Sequence, residues 1–150
     1  MLKKIVLFSL LFLAFFNNSQ GATLMFQDMS GQNISLESLR GKWVIINYWA
    51  SWCQPCVEEI SELNRFYKKN KDRVALFAVN YDRVSVAQQM ALIRKFKIRY
   101  PSLQKDPAWA LGLSDIRGVP ATFILNPQGK LSKMLYGSQT FQSLKRAVFD

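Results

Sequence analysis

The segment WASWCQPC, residues 49–56, holds the chain's two cysteines, Cys53 and Cys56, with two residues between them. A thiol pair at this spacing can be a structural staple, part of a metal site or a redox couple. A closed zinc site takes four ligands, and with no histidine in the chain it would need ligands from a second subunit. A purely structural bridge would close so short a loop that it removes little entropy from the unfolded chain. Exchange chemistry suits the spacing better, because a second thiolate beside the first can resolve a mixed disulfide within one molecule. The absence of histidine also removes Cys-His hydrolases and serine triads. Proton handling then falls to a carboxylate, water or the backbone. Glu59, three residues after Cys56, shares its helix face and is the candidate acid–base group; the alternative is an ordinary first-turn glutamate placed favourably by the helix dipole. Glu58 points elsewhere, toward solvent.

The elements that must hold these residues are legible on either side. WVIINYW (43–49) is too apolar to alternate, as expected of a strand covered on both faces. A helix from about Pro55 to Asn70 follows, with Val57, Ile60, Leu63 and Phe66 or Tyr67 on one stripe. Cys53 therefore falls between a strand end and a helix start, where unpaired N–H groups and the positive end of the dipole favour thiolate over thiol. Cys56, one turn inside, is expected to be more shielded and to act second. RVALFAVN (73–80) reads as a second buried strand, and Ser85 as the cap of a helix whose inward stripe is Val86, Met90, Ile93 and Phe96 or Lys97. Asp106-Pro107 opens a short helix that Gly112 stops. ATFIL (121–125), NPQG (126–129) and KLSKMLY (130–136) form a hairpin, and a last helix turns Phe141, Leu144 and Val148 inward. The order implies one α/β domain with a mixed sheet, the parallel strands at its middle.

Residues 1–21 read as a leader outside that domain, which then spans 22–150. Lys3 and Lys4 precede an apolar block, Ile5 to Phe16, too short for an ordinary spanning helix, and Ser19 and Gly21 offer small residues for cleavage before Ala22. An uncleaved membrane anchor is the alternative. The net charge of +10 favours acidic partners, but the basic residues are spread out without a long run, and nucleic-acid binding is not expected. Export would place the thiols where they tend to be oxidised unless electrons are delivered.

WCQPC at a strand-to-helix turn, GVPATF (118–123), the stretch from Phe26 to Trp43 and FILNPQGKL near the end together resemble the thioredoxin superfamily, over nearly all of residues 24–150. The resemblance is closer to its exported branch, the TlpA-like reductases that include the cytochrome c maturation thioredoxins. It implies a thioredoxin-like mixed β-sheet flanked by helices, with an N-terminal β extension and a central inserted segment containing helix. It implies too that Pro120 follows a cis bond beside the cysteines, leaving a backbone edge at Val119 on which an extended substrate can pair. Trp52, Gln54 and Pro55 are the other expected substrate contacts, with Trp52 shielding Cys53, while Trp43, Tyr48 and Trp49 are expected in the core. At Asn47 ordinary thioredoxins carry a buried aspartate; this chain departs from them, and the reductase branch instead looks to the glutamate matching Glu59.

The reading is an exported, periplasmic thiol-disulfide oxidoreductase, monomeric and without metal or cofactor. It reduces disulfides in partner proteins, apocytochrome c among the plausible ones, and is itself re-reduced by a membrane electron donor. Two rivals stand beside it: the same fold run as an oxidase or isomerase, and a binding protein that uses its basic surface without turnover. A peroxiredoxin lacks support, since no Pro-x-x-x-Thr/Ser-x-x-Cys pattern precedes either cysteine.

Overall fold

A computed structural model describes residues 24–113 and 116–150. The expected leader, residues 1–21, lies outside them. Two short strands open the described chain, β1 (Met25–Gln27) and β2 (Asn33–Ser35), followed by a single 3-10 turn at Glu37–Leu39. Then come β3 (Trp43–Trp49), α1 (Gln54–Asn70), β4 (Val74–Asn80), α2 (Val86–Lys95), β5 (Ala121–Leu125), β6 (Leu131–Tyr136) and α3 (Phe141–Phe149).

The main sheet runs β4-β3-β5-β6, with β3 parallel to β4 and antiparallel to β5, and β5 antiparallel to β6. The mixed sheet is as expected, but its centre is β3 and β5 rather than the parallel pair. The outer edge of β4 is closed by the segment that follows α2: Ala78 N–H donates to the Pro101 carbonyl at 2.8 Å and Leu103 N–H to the Ala78 carbonyl at 2.9 Å. That segment in turn ties down the N-terminal extension through Met29 N–H to Ser102 C=O and Gln104 N–H to Gln27 C=O, at 2.8 and 2.9 Å. A β-edge that would otherwise invite another chain is thereby covered.

Alternation along the strands sends side chains to two apolar layers. On one face Ile45, Leu76 and Ile124 meet Ile60, Leu63 and Phe66 of α1 and Leu144 of α3, and the cysteines belong to this cluster. On the other, Val44, Ile46, Tyr48 and Phe123 are covered by Phe26, Ile34 and Leu39 and by residues of the insertion such as Leu111. The helical cover is one-sided, and the N-terminal extension does on the second face what a helix would otherwise do.

Two expectations are corrected. In α2, Val86 and Met90 are 53% and 39% exposed; only the last turn and beyond, Leu92, Ile93 and Phe96, packs inward, and Gln89 is buried instead, its Nε2 donating to the Leu103 carbonyl. The segment from Asp106 to Gly112 makes one turn, closed by Leu111 N–H to Pro107 C=O, and does not extend into a helix. Ser85 caps α2 and Thr140 caps α3, each in a reciprocal capping box worth about 1 kcal/mol.

Candidate active site

Cys53 occupies the N-cap of α1 (φ −92°, ψ 98°), and its Sγ accepts the N–H of Cys56 at 3.3 Å. The local sequence forces this. β3 ends at Trp49, Cys53 N–H turns back to the Ala50 carbonyl at 3.2 Å, and Pro55 in the first helical turn has no N–H to leave unpaired. The sulfur thus sits among helix-terminal amides that stabilise negative charge on it. Cys53 and Cys56 are joined as a disulfide with Cα atoms 5.3 Å apart. Cys53 retains 5% of its surface and Cys56 none, so a partner reaches Cys53 first.

Glu59 lies one turn beyond Cys56 and is only 2% exposed. Its Oε1 accepts from Asn47 Nδ2 at 2.7 Å and its Oε2 from the Gln139 N–H at 2.7 Å. Both donors are uncharged, and among the described residues the ion pairs lie elsewhere, at Arg40–Glu37 and Arg65–Glu62. Burial pushes the Glu59 carboxyl up to about 7, against the opposing pull of the Gln139 and Asn47 hydrogen bonds. Asn47 is shared: its Nδ2 also reaches Thr122 Oγ1 at 3.3 Å, and its Oδ1 accepts from the Tyr100 hydroxyl at 3.4 Å. Burial, and then the charge of Glu59, hold the Tyr100 hydroxyl well above its ordinary range. The departure at position 47 thus places an amide where it can bind a carboxylate arriving from α1.

The Val119–Pro120 peptide is cis. Pro120 is buried and its carbonyl accepts the Gly137 N–H at 3.0 Å, while half-buried Val119 touches both apolar layers; among the described residues its backbone has no partner. Trp52 is 70% exposed, so most of it faces solvent next to Cys53 in the chain. Gln54 donates to Glu58 at 3.1 Å on the exposed face of α1, and the Pro55 carbonyl accepts from Ser138 Oγ at 2.9 Å. Tyr48 and Trp49 are fully buried and Trp43 half-buried, as expected of core aromatics. No cluster of metal-ligating side chains occurs among the described residues, and none of their helices is long and apolar enough to cross a membrane.

The family model described as AhpC/TSA matches residues 18–134. The chain belongs to the AhpC/TSA family. It is 30% identical over 123 residues to the thiol-disulfide oxidoreductase ResA of Bacillus subtilis strain 168, covering 81% of this chain and 68% of ResA. Among solved structures it resembles StoA from Bacillus subtilis (TM-score 0.68, 26% identity, 84% of this chain and 96% of StoA). It also resembles a thioredoxin-family thiol:disulfide interchange protein from Chlorobium tepidum (TM-score 0.69, 26% identity, 84% and 90%). With its cysteine pair at a strand-to-helix junction of a thioredoxin-like fold, this AhpC/TSA protein is a thiol-disulfide oxidoreductase.

Sequence reasoning missed Asp82. Its carboxylate accepts from Ser51 N–H at 2.9 Å, Ser51 Oγ at 2.9 Å and Asn80 Nδ2 at 2.7 Å, while Asn80 Oδ1 accepts the Asp82 N–H at 3.0 Å. Tyr81 N–H donates to the Trp49 carbonyl at 2.8 Å, so the chain leaving β4 clamps the loop that delivers Cys53. The available signal was position: polar residues just past the carboxyl end of a parallel strand lie beside the site in α/β folds. In this family member Asp82→Ala is expected to cost about 2 kcal/mol in denaturant unfolding, by orphaning these donors, and to slow attack by Cys53 in stopped-flow exchange. Asp82→Asn, which keeps an acceptor for Ser51, should recover most of both; equal losses in the two variants would remove Asp82 from the positioning role.

Proposed function

We propose that this oxidoreductase works outside the cytoplasm as a reductant of protein disulfides. Cys53 thiolate attacks a partner's disulfide, forming a mixed disulfide and releasing one partner thiolate. Cys56 then attacks Cys53, releasing the second, so two electrons leave the dithiol and the partner's sulfurs take up two protons. Trp52, Gln54, Pro55 and the Val119 backbone edge beside Pro120 make up the surface a substrate segment meets.

One observation carries the direction. Glu59 is buried on the helix face of Cys56 without a cation to balance it. Once ionised, such a carboxylate opposes a thiolate in the reduced protein and tilts the couple toward the disulfide, which is what a reductant requires. The same carboxyl, poised near neutrality, is placed to take the proton Cys56 must lose before it can attack. The helix-terminal amides around Cys53 pull the other way by stabilising thiolate, which supports oxidase or isomerase action as the second reading.

Export rests on Lys3, Lys4 and the apolar block from Ile5 to Phe16, and with it go periplasmic partners and a membrane electron donor. Apocytochrome c is one protein whose thiols fit this chemistry. The test is to express the full chain with Cys56→Ser and identify what remains disulfide-linked to Cys53, alongside a measured reduction potential. Trapping a protein partner, with a potential well below the roughly −120 mV of strong oxidants, supports the reductant reading. A potential near that value would favour the second.

A further inference from the structure

A groove of about 670 Å³ runs along α1 on a flank separate from the Val119 edge. Its floor is apolar: Val57, Ile60 and Tyr67 of α1, with Phe96 just after α2. Its rim is cationic, with Lys68, Lys71, Lys97 and Arg99. None of these four has a carboxylate partner, since the ion pairs among the described residues are Arg40–Glu37 and Arg65–Glu62. The one acid on the wall, Glu58, stands at the end nearest the cysteines.

The groove is built into the fold. Asn64 bridges its two walls, donating through Nδ2 to the Lys97 carbonyl at 2.8 Å and accepting the Arg99 N–H on Oδ1 at 2.7 Å. Lys97 is held in the left-handed region (φ 55°), which lysine seldom adopts. The backbone that carries Lys97 and Arg99 is thus tied to α1, which also carries Lys68, by one amide that spends both of its polar atoms on the task. Along α1 the groove extends from Val57, beside Cys56, to Lys71, about 20 Å at helical rise.

We propose that this groove docks an acidic, apolar-anchored segment of the partner protein whose disulfide Cys53 attacks. An apolar floor argues against a nucleic-acid backbone, and a concave site against a flat anionic membrane. Uncompensated positive charge around apolar contact area is the complement of a segment with acidic residues flanking apolar anchors. The single acid at the cysteine end sets polarity, so the partner's acidic residues lie toward Lys71 and away from the sulfurs. Such docking raises the encounter rate and holds the partner in register without touching the chemistry.

The proposal rests on protein disulfides being the substrate, and its test separates the two. The oxidised full chain is titrated, by fluorescence anisotropy, into a labelled cysteine-free peptide of Leu, Phe and Glu in amphipathic order and into its counterpart with Lys for Glu. The acidic peptide should bind, weaken as salt rises, and lose at least about tenfold in affinity with Lys97→Glu plus Arg99→Glu. The control pair Lys130→Glu plus Lys133→Glu, on the distant β5–β6 hairpin, should change it less than about twofold. No binding of the acidic peptide, equal binding of both peptides, or equal losses in the groove and control variants overturns the proposal. So does binding of phosphatidylglycerol vesicles that depends on Lys97 and Arg99 while the peptide stays unbound. Reduction of hydroxyethyl disulfide by the reduced protein is unaffected by the groove variants if docking alone is lost. Its absence in the unaltered protein strikes at the reductant reading and leaves the binding result standing.

Discussion

Cys53→Ser should bring turnover of a protein disulfide down to the buffer reaction, a loss on the order of a thousandfold or more, whereas Cys56→Ser should attack once and stop. The asymmetry follows from the helix start. Cys53 is the sulfur with residual exposure and the one seated among helix-terminal amides, while Cys56 is sealed within the α1 layer and meets only what Cys53 has already captured. Alkylation of the reduced protein by iodoacetamide across a pH series should therefore show Cys53 reacting with a midpoint below the roughly 8.5 of a free thiol. Single alkylation at Cys53, located by mass spectrometry, should precede any at Cys56. A midpoint at or above the free value would remove the electrostatic basis for assigning Cys53 as the attacking sulfur.

The site was legible in sequence where chemistry and chain direction coincide, and less so where packing across the fold decides. Cys53 at the junction of β3 and α1 needed only an apolar run, a proline and a helical stripe, all local signals. The cis bond before Pro120 came through resemblance, since nothing in Gly118-Val119-Pro120 alone requires it. For α2 the i, i+4 spacing of Val86 and Met90 suggested an inward stripe, but the helix meets the core only at its C-terminal end. There Leu92, Ile93 and Phe96 are packed, and Gln89 is drawn inside by an unpaired carbonyl at Leu103. Periodicity gives the width of an apolar face and not how much of its length finds a partner. The turn at Asp106 is a similar case. Its carboxylate accepts from Ala108 N–H at 2.8 Å as a helix cap would, but also from the Tyr48 hydroxyl at 2.6 Å, a contact 58 residues away in the chain. Asn47 was recognised as a departure, yet its task, presenting an amide to Glu59 from β3, depends on a register no local pattern reports.

Glu59→Gln should stabilise the oxidised protein above neutral pH by about 3 kcal/mol and flatten its stability between pH 5 and 8. Burial raises this carboxyl from 4.5 in the unfolded chain to about 7 in the folded protein, so the folded state holds the proton more tightly. Its contribution is fully present below the unfolded value and is lost as pH rises through the folded one. An amide of the same shape never takes on the charge, so that loss disappears. The swap is tolerable because Asn47 can turn its amide, offering Oδ1 to the new Nε2 and Nδ2 to the Tyr100 hydroxyl, while the remaining oxygen keeps the Gln139 N–H. Function should move in the opposite sense. Without the buried negative charge the thiolate is less opposed, so the Cys53 alkylation midpoint should fall and the reduction potential rise by on the order of 30 mV for each 1.4 kcal/mol of repulsion removed. Release of a captured partner should slow, because Cys56 has lost the group placed to take its proton. Urea unfolding at pH 5 and pH 8 reads the first effect, and redox equilibration with glutathione reads the second. A stability profile unchanged from the unaltered protein, together with an unmoved potential, would mean that Glu59 carries no charge in the working pH range and that the direction of exchange is set by the helix-terminal amides around Cys53 alone.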